Sequence, residues 1–279
     1  MANRNSTVYQ ASTIADVQSI LKNISGVSIV AGGTEIVRRQ TGRTLHFSPN
    51  ILPVSRIAEL TGVAKTERYI EFGSCITLKS LLELGSKNVP DILYRAVQGI
   101  ASPGIRSLAT LGGNIAAKGQ RLCAFAPLLA LDARLEIRTP TEAYWIPMAR
   151  YFSNTGKEQS KEPEFISKIR VPTDAWEISE YRRIGKPGIV TDTTATFAFL
   201  VQSQKNVLAD IRIAYAGKFF FRRREFENLM IGRSLPLSEK DIDYLMDKAD
   251  AYFDKNLFPP SYERTCLFNM LEESLSMLV

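Results

Sequence analysis

Apolar and polar positions recur along this chain with two periods, and the changes of period mark the elements. In the first stretch, Ile14, Val17, Leu21 and Ile24 fall at helical spacing behind Ser12 or Thr13, either of which can cap the helix. Gly26 ends it. The β-branched run Val27–Val30 then reads as a short strand, Ala31-Gly32-Gly33-Thr34 as a loop, Glu35–Gln40 as a helical turn and Thr44–Phe47 as a second strand.

The second stretch opens with a helix or turn at Ile57–Leu60 and a strand at Tyr69–Gly73. Thr77 is positioned to cap a helix carrying Leu78, Leu81, Leu82 and Leu84, and Asp91–Gly99 predicts another. A glycine motif, Thr110–Asn114, precedes an apolar run over Ala124–Ala133. The run leads into the alternating strand Arg134–Arg138, with Leu135 and Ile137 on one face, and Ile166–Val171 is a strand stopped by Pro172. In the third stretch Ile178–Ile184, Thr193–Gln202 and Val207–Gly217 read as strands. Ile211, Ile213 and Tyr215 alternate as in an antiparallel strand buried on one face. Ser238 and Asp241 form a capping pair ahead of the stripe Ile242, Leu245, Met246 and Ala249, and a last helix from Ser261 carries Tyr262, Cys266, Met270 and Leu271. The expected domains are therefore 1–55, 56–174 and 175–279, with no internal repeat and with Gly156–Glu162 as a surface loop.

Composition narrows the chemistry. Among 279 residues there is one His (His46) and there are three Cys (Cys75, Cys123, Cys266). A Cys-ligated iron–sulfur cluster takes about four thiolates, and a structural zinc about four Cys or His ligands at short spacing. Redox or group-transfer chemistry is expected to come from an organic cofactor. His46 reads as structural or exposed, and Cys75 and Cys266 as small buried hydrophobes. An odd, scattered set of Cys fits a reducing, cytoplasmic setting. Met1–Gln10 lacks the apolar core of a signal peptide, and the longest apolar run, Leu122–Leu131, is about half of what spans a bilayer. The net charge of +6 and the run Arg222-Arg223-Arg224 invite a nucleic-acid reading. No nucleic-acid motif accompanies them, and the run is expected at a solvated edge or interface beside a buried strand end.

The two Gly-Gly loops carry the candidate chemistry. A strand running into Ala31-Gly32-Gly33-Thr34 permits positive φ, close backbone approach and a nest of N–H groups that suits a pyrophosphate. The loop matches neither the Rossmann nor the Walker spacing, so a plain tight turn is the alternative. Thr110–Asn114 repeats the theme, just after Ser102-Pro103-Gly104-Ile105-Arg106. Together the loops could hold one dinucleotide, such as FAD, between two subdomains.

At this point the residues resemble a family: the FAD-binding (medium) subunits of molybdenum hydroxylases, that is, xanthine dehydrogenase and carbon monoxide dehydrogenase relatives, with the look of the purine-hydroxylase branch. Ala31-Gly32-Gly33-Thr34-Glu35 is similar to the A-G-G-T-D loop. Ile105-Arg106 with Ala109-Thr110-Leu111-Gly112-Gly113-Asn114-Ile115-Ala116 is similar to the I-R-N-x-A-T-I-G-G-N-I-A signature. Leu128–Ala133, Ile169–Pro172 and Asp210–Ala214 resemble its L-L-A-L-D-A, I-R-I-P and D-x-R-I-A segments.

The resemblance implies an α+β fold, with two α/β FAD-binding subdomains and a C-terminal domain of a three-stranded antiparallel sheet plus helices. It implies FAD as cofactor, with Val30, Ala31, Gly32, Gly33, Thr34 and Glu35 around the pyrophosphate. Ser102, Thr110, Gly113 and Asn114 then contact phosphate and ribityl groups, Ile166 lies against the isoalloxazine, and Arg183 stands where a Lys often supports the reduced flavin. Lys186 follows it. The partners implied are a small two-cluster iron–sulfur subunit and a large molybdopterin subunit, with NAD or another acceptor, and neither nucleic acid nor membrane. The departure is Cys123, which stands where the family has an Asp and cannot accept as a carboxylate does; Gln120 or a backbone group is the expected substitute. A stand-alone FAD oxidoreductase and a flavin-free scaffold are the alternative functions.

Overall fold

In the computed structural model, residues 6–42, 45–154, 163–253 and 259–278 are described. The elements in order are β1 (Thr7–Val8), α1 (Ile14–Asn23), β2 (Val27–Val30), α2 (Thr34–Arg38), β3 (Asn50–Pro53), β4 (Val63–Lys65), β5 (Tyr69–Gly73), α3 (Leu78–Glu83), α4 (Asp91–Gln98), α5 (Pro103–Arg106), α6 (Leu111–Ile115) and α7 (Phe125–Ala130). They continue with β6 (Arg134–Arg138), β7 (Ala143–Pro147), α8 (Met148–Asn154), β8 (Phe165–Pro172), β9 (Ile178–Ile184), β10 (Ala195–Gln204), β11 (Val207–Ala216), β12 (Phe220–Phe221), α9 (Arg224–Asn228), α10 (Glu239–Tyr252) and α11 (Tyr262–Ser276). The chain forms two compact units. The first holds residues 1–89, 101–117 and 132–173; the second holds 90–100, 118–131 and 174–279.

The first unit contains two sheets. A parallel one has the order β1-β3-β2, and an antiparallel one has the order β4-β5-β8-β6-β7. Helix α1 begins as its sequence predicts. Thr13 accepts from the Asp16 amide and Asp16 accepts from the Thr13 amide, a reciprocal cap that stabilises by about 1 kcal/mol. Its Ile14, Val17 and Leu21 pack with Leu52 and Val54. The second strand differs from expectation: it is Asn50–Pro53, not Thr44–Phe47. Thr44 lies outside the described residues, and Leu45 and Phe47 are each 47% exposed. Burial decides this, because Leu52 is fully enclosed and only the later segment places it in the core. The loop Gly156–Glu162 also lies outside the described residues.

The second unit is built on β12-β11-β10-β9, three long antiparallel strands and a two-residue edge. Strand β10 is buried from Ala195 through Val201, because both faces of the sheet are covered. Phe197, Phe199, Ile211, Ile213 and Tyr215 pack with the side chains of α10 and α11, whereas α7 lies against β10 and β11. The Ser238–Asp241 cap forms as read. The arginine run follows the edge strand β12, with Arg223 and Arg224 exposed there as expected and only Arg222 turned inward. Arg222 is buried, donates from Nε to Glu227 at 3.1 Å and gives a second donor to the Leu129 carbonyl of α7. Glu227 also accepts from the Ile213 amide at 2.9 Å and from Arg224 at 3.1 Å. Arg222 thus ties strand, helix α9 and helix α7 together. No helix among the described residues is long and apolar enough to cross a membrane.

Glu227→Ala is expected to cost about 3–5 kcal/mol in chemical unfolding, since it strands a buried guanidinium, and exchange of both partners for apolar residues should recover much of the loss. Burial pushes the Glu227 carboxyl up, against the pull of Arg222. With the folded value above the unfolded one, its stabilisation is complete below the ordinary glutamate range and declines as pH rises through the raised value. The stability advantage of wild type over Glu227→Gln should therefore shrink as pH is raised, as read by unfolding at a series of pH values.

Candidate functional site

The two glycine loops meet inside the first unit, and the contact explains half of their glycines. Gly32 lies flat on the chain preceding the second loop: a methyl there would sit 1.8 Å from the Leu108 carbonyl oxygen. Gly112 is enclosed likewise, with a methyl 2.6 Å from the Ser74 carbonyl oxygen and 2.7 Å from its Cβ. Packing within the protein excludes a side chain at both positions. Gly33 and Gly113 differ. Gly33 adopts φ +68° with only the Val30 side chain near a methyl, at 3.8 Å, and Gly113 is exposed, with only the Thr110 hydroxyl within reach of a methyl, at 2.9 Å. These two glycines leave backbone surface open to something outside the chain.

The backbone donors divide just as sharply. In the second loop they are satisfied internally. The Leu111 amide donates to Ile76, Gly112 to Ser74, Gly113 to the Thr110 hydroxyl at 3.1 Å and Asn114 to the Thr110 carbonyl. In the first loop, among the described residues, no protein group accepts from the amides of Gly32, Gly33, Thr34, Glu35 and Ile36. Five successive donors on a turn with one left-handed residue form a nest for an anion. The one carboxylate on the loop, Glu35, is held by Arg38 through two 2.7 Å bonds, which neutralises it locally. A diphosphate fits this loop, and the open Gly113 admits the close approach of a bulkier group.

The other expected positions fall as follows. Val30 ends β2, and its carbonyl accepts from Val54. Ser102 caps α5, after Ala101 at φ 47°. Thr110 and Asn114 are buried within the cap of α6. Ile166 is 9% exposed in β8, opposite Ile137 at a register shift.

Cys123 and Arg183 belong to the second unit. Cys123 is buried and its sulfur accepts from Arg183 Nε at 3.4 Å. The rest of that guanidinium donates to the carbonyls of Gly185, Lys186 and Ile189, so it shapes the turn after β9. Gln120 donates to the carbonyls of Thr191 and Thr194 in the same β9–β10 connection. The loop that carries Gln120 and Cys123 is therefore anchored within its own unit. Sequence reasoning missed Tyr181. It lies two residues before Arg183 on the same strand face, with a buried hydroxyl that burial, and then Cys123, push well above its ordinary value. Period-two spacing along β9 was the available signal. Cys75 is an inert core thiol, pushed up to about 11 by burial, and no metal-holding cluster occurs among the described residues.

Comparisons with known proteins identify the family and the fold. A family model described as the FAD binding domain in molybdopterin dehydrogenase matches residues 4–174. The chain is 28% identical over 167 residues to the xanthine dehydrogenase FAD-binding subunit of Escherichia coli O157:H7, covering 59% of this chain and 56% of that one; it thus spans little more than half of this relative. It is 25% identical over 213 residues to the nicotine 6-hydroxylase medium subunit of Paenarthrobacter nicotinovorans, covering 74% and 72%. The fold is that of a chain of carbon monoxide dehydrogenase from Hydrogenophaga pseudoflava, with a TM-score of 0.81 over 100% of this chain and 97% of that one at 20% identity. With the family model covering more than half of its length, the chain belongs to the FAD-binding domains of molybdopterin dehydrogenases, and FAD is its cofactor.

Proposed function

We propose that this chain is the FAD-binding electron-transfer subunit of a cytoplasmic, xanthine dehydrogenase-like molybdenum hydroxylase. Its partners in this reading are a small two-cluster iron–sulfur subunit and a large molybdopterin subunit. The observation that carries the reading is the row of amides from Gly32 to Ile36 without acceptors among the described residues, in a loop the family model covers. When bound, FAD supplies the one- and two-electron chemistry that links iron–sulfur clusters to NAD or another acceptor.

The residues have separate duties. The amides of Ala31 to Glu35 hold the pyrophosphate. The Thr110 hydroxyl takes the Gly113 amide on its oxygen and keeps its own proton to donate. Gly113 gives backbone approach, while Val30, Ser102, Asn114 and Ile166 complete the wall. Cys123 stands with Arg183, whose guanidinium binds carbonyls and a thiol and meets no carboxylate among the described residues. That uncompensated charge favours the more negative state of a nearby redox group. Arg183 therefore has two duties, a turn clamp and a fixed positive charge.

The purified chain should show flavin absorbance after incubation with FAD, and a protein that stays colourless overturns the reading. Gly113→Ala should weaken FAD binding about tenfold with only a small drop in the unfolding midpoint, because its methyl meets one protein atom, the Thr110 hydroxyl at 2.9 Å, and no backbone. Gly32→Ala should instead lower stability by about 1–3 kcal/mol, because its methyl meets backbone. Flavin titration combined with thermal unfolding separates the two effects. Arg183→Gln should lower the flavin midpoint potential by some tens of millivolts, about 30 mV corresponding to 1.4 kcal/mol for two electrons. Arg183→Lys should keep the potential nearer wild type while loosening the turn, as read by spectroelectrochemistry and by hydrogen exchange at residues 185–189.

A further inference from the structure

One face of the antiparallel sheet in the first unit carries rings and charges in register. Arg170 pairs with Glu71 on one side and Arg134 on the other, and Lys168 and Trp145 flank Glu136 in the next row. The Arg170 guanidinium lies 4.4 Å from the Tyr69 ring centroid and 4.1 Å from that of Trp145, and its Nε donates to Glu71 at 2.7 Å. A planar cation held by two rings and a carboxylate, yet still 30% exposed, has lost its rotamer freedom before any partner arrives. Tyr, Trp and Arg are also the residues that dominate protein interfaces.

The charges on this face do not cancel. Arg138 is paired with Glu136 at 3.2 Å, and Arg170 with Glu71. Lys168 reaches Glu71 only at 4.0 Å and is 37% exposed. Arg134 is exposed and makes no ion pair among the described residues. Two cations are left over on a surface with an ordered aromatic centre. We propose that this face docks an acidic polypeptide surface of a partner subunit, with the Tyr69–Arg170–Trp145 stack as anchor and Arg134 and Lys168 as the charged contacts. A protein is favoured over nucleic acid because each ring already has one face taken by Arg170, which removes stacking area for a base. The inference rests on the reading of this chain as one subunit of a larger complex.

The test co-produces the tagged full chain with the iron–sulfur and molybdopterin subunits and measures the partner retained on size exclusion. Arg134→Glu with Lys168→Glu should lower the retained partner about tenfold, and the milder Arg134→Gln with Lys168→Gln by less. Flavin content and unfolding midpoint should match wild type in both. Added salt should weaken the wild-type complex more than that of the glutamine variant. Retention by the charge-reversed chain equal to wild type overturns the docking face and leaves the complex standing, whereas nucleic acid co-eluting in place of protein overturns the choice of partner. A wild-type chain that takes up FAD but recruits neither subunit overturns both the docking face and the complex.

Discussion

The backbone of Gly32 lies against the carbonyl of Leu108 with no room for a methyl group, and much of the first unit follows from that contact. It fixes the end of β2 on the chain that leads into α6. Gly112 repeats the device one layer deeper, against Ser74. Two close approaches of main chain to main chain cannot be relaxed by rotating side chains, so the loops have one relative position. The neighbouring glycines are then free for another purpose. Gly33 turns the amides of the first loop away from the protein, while the second loop closes its own donors on Thr110, Ser74 and Ile76. An anion is therefore attracted to one loop and merely accommodated by the other.

The second unit depends on buried charge rather than on buried main chain. Its sheet is covered on both faces, and the Arg222 side chain is enclosed with it while Arg223 and Arg224 reach water. Arg222 and Glu227 meet each other, and their remaining donor and acceptor capacity binds the Leu129 carbonyl and the Ile213 amide. Such a pair contributes little net stability compared with apolar side chains of equal volume. What it supplies is position: α7 has one seat on the sheet, and Cys123, just ahead of α7, is brought to Arg183.

Much of the fold is legible in the sequence where local chemistry decides it. The capping boxes at Thr13 and Ser238, the alternation of β11 and the strand Ile178–Ile184 all follow from spacing and caps. Legibility fails where a distant partner decides. Thr44–Phe47 has the composition of a strand, but the parallel sheet needs Leu52 inside and takes the following segment. Arg222 resembles its two neighbours in sequence, and only the fold brings Glu227 and Leu129 to it. Likewise the four loop glycines look equivalent along the chain. Their separation into packing and open positions depends on Leu108 and Ser74, each tens of residues away from the glycine it meets.

Cys123 beside Arg183 sets a local field that a carboxylate in its place would not. A carboxylate beside Arg183 would neutralise it and accept several bonds; a thiol accepts weakly and leaves the guanidinium charge largely uncompensated. The carbonyls of Gly185, Lys186 and Ile189 take up the donors that a carboxylate would otherwise receive. Carbonyls satisfy hydrogen bonds without cancelling charge, so Arg183 remains a cation while being held in place. Compared with an acid at position 123, the thiol therefore makes the local field more positive without loosening the turn. Lysine has the charge but lacks the planar fork that reaches several carbonyls at once. Arginine meets both demands at this position, the charge and the fork.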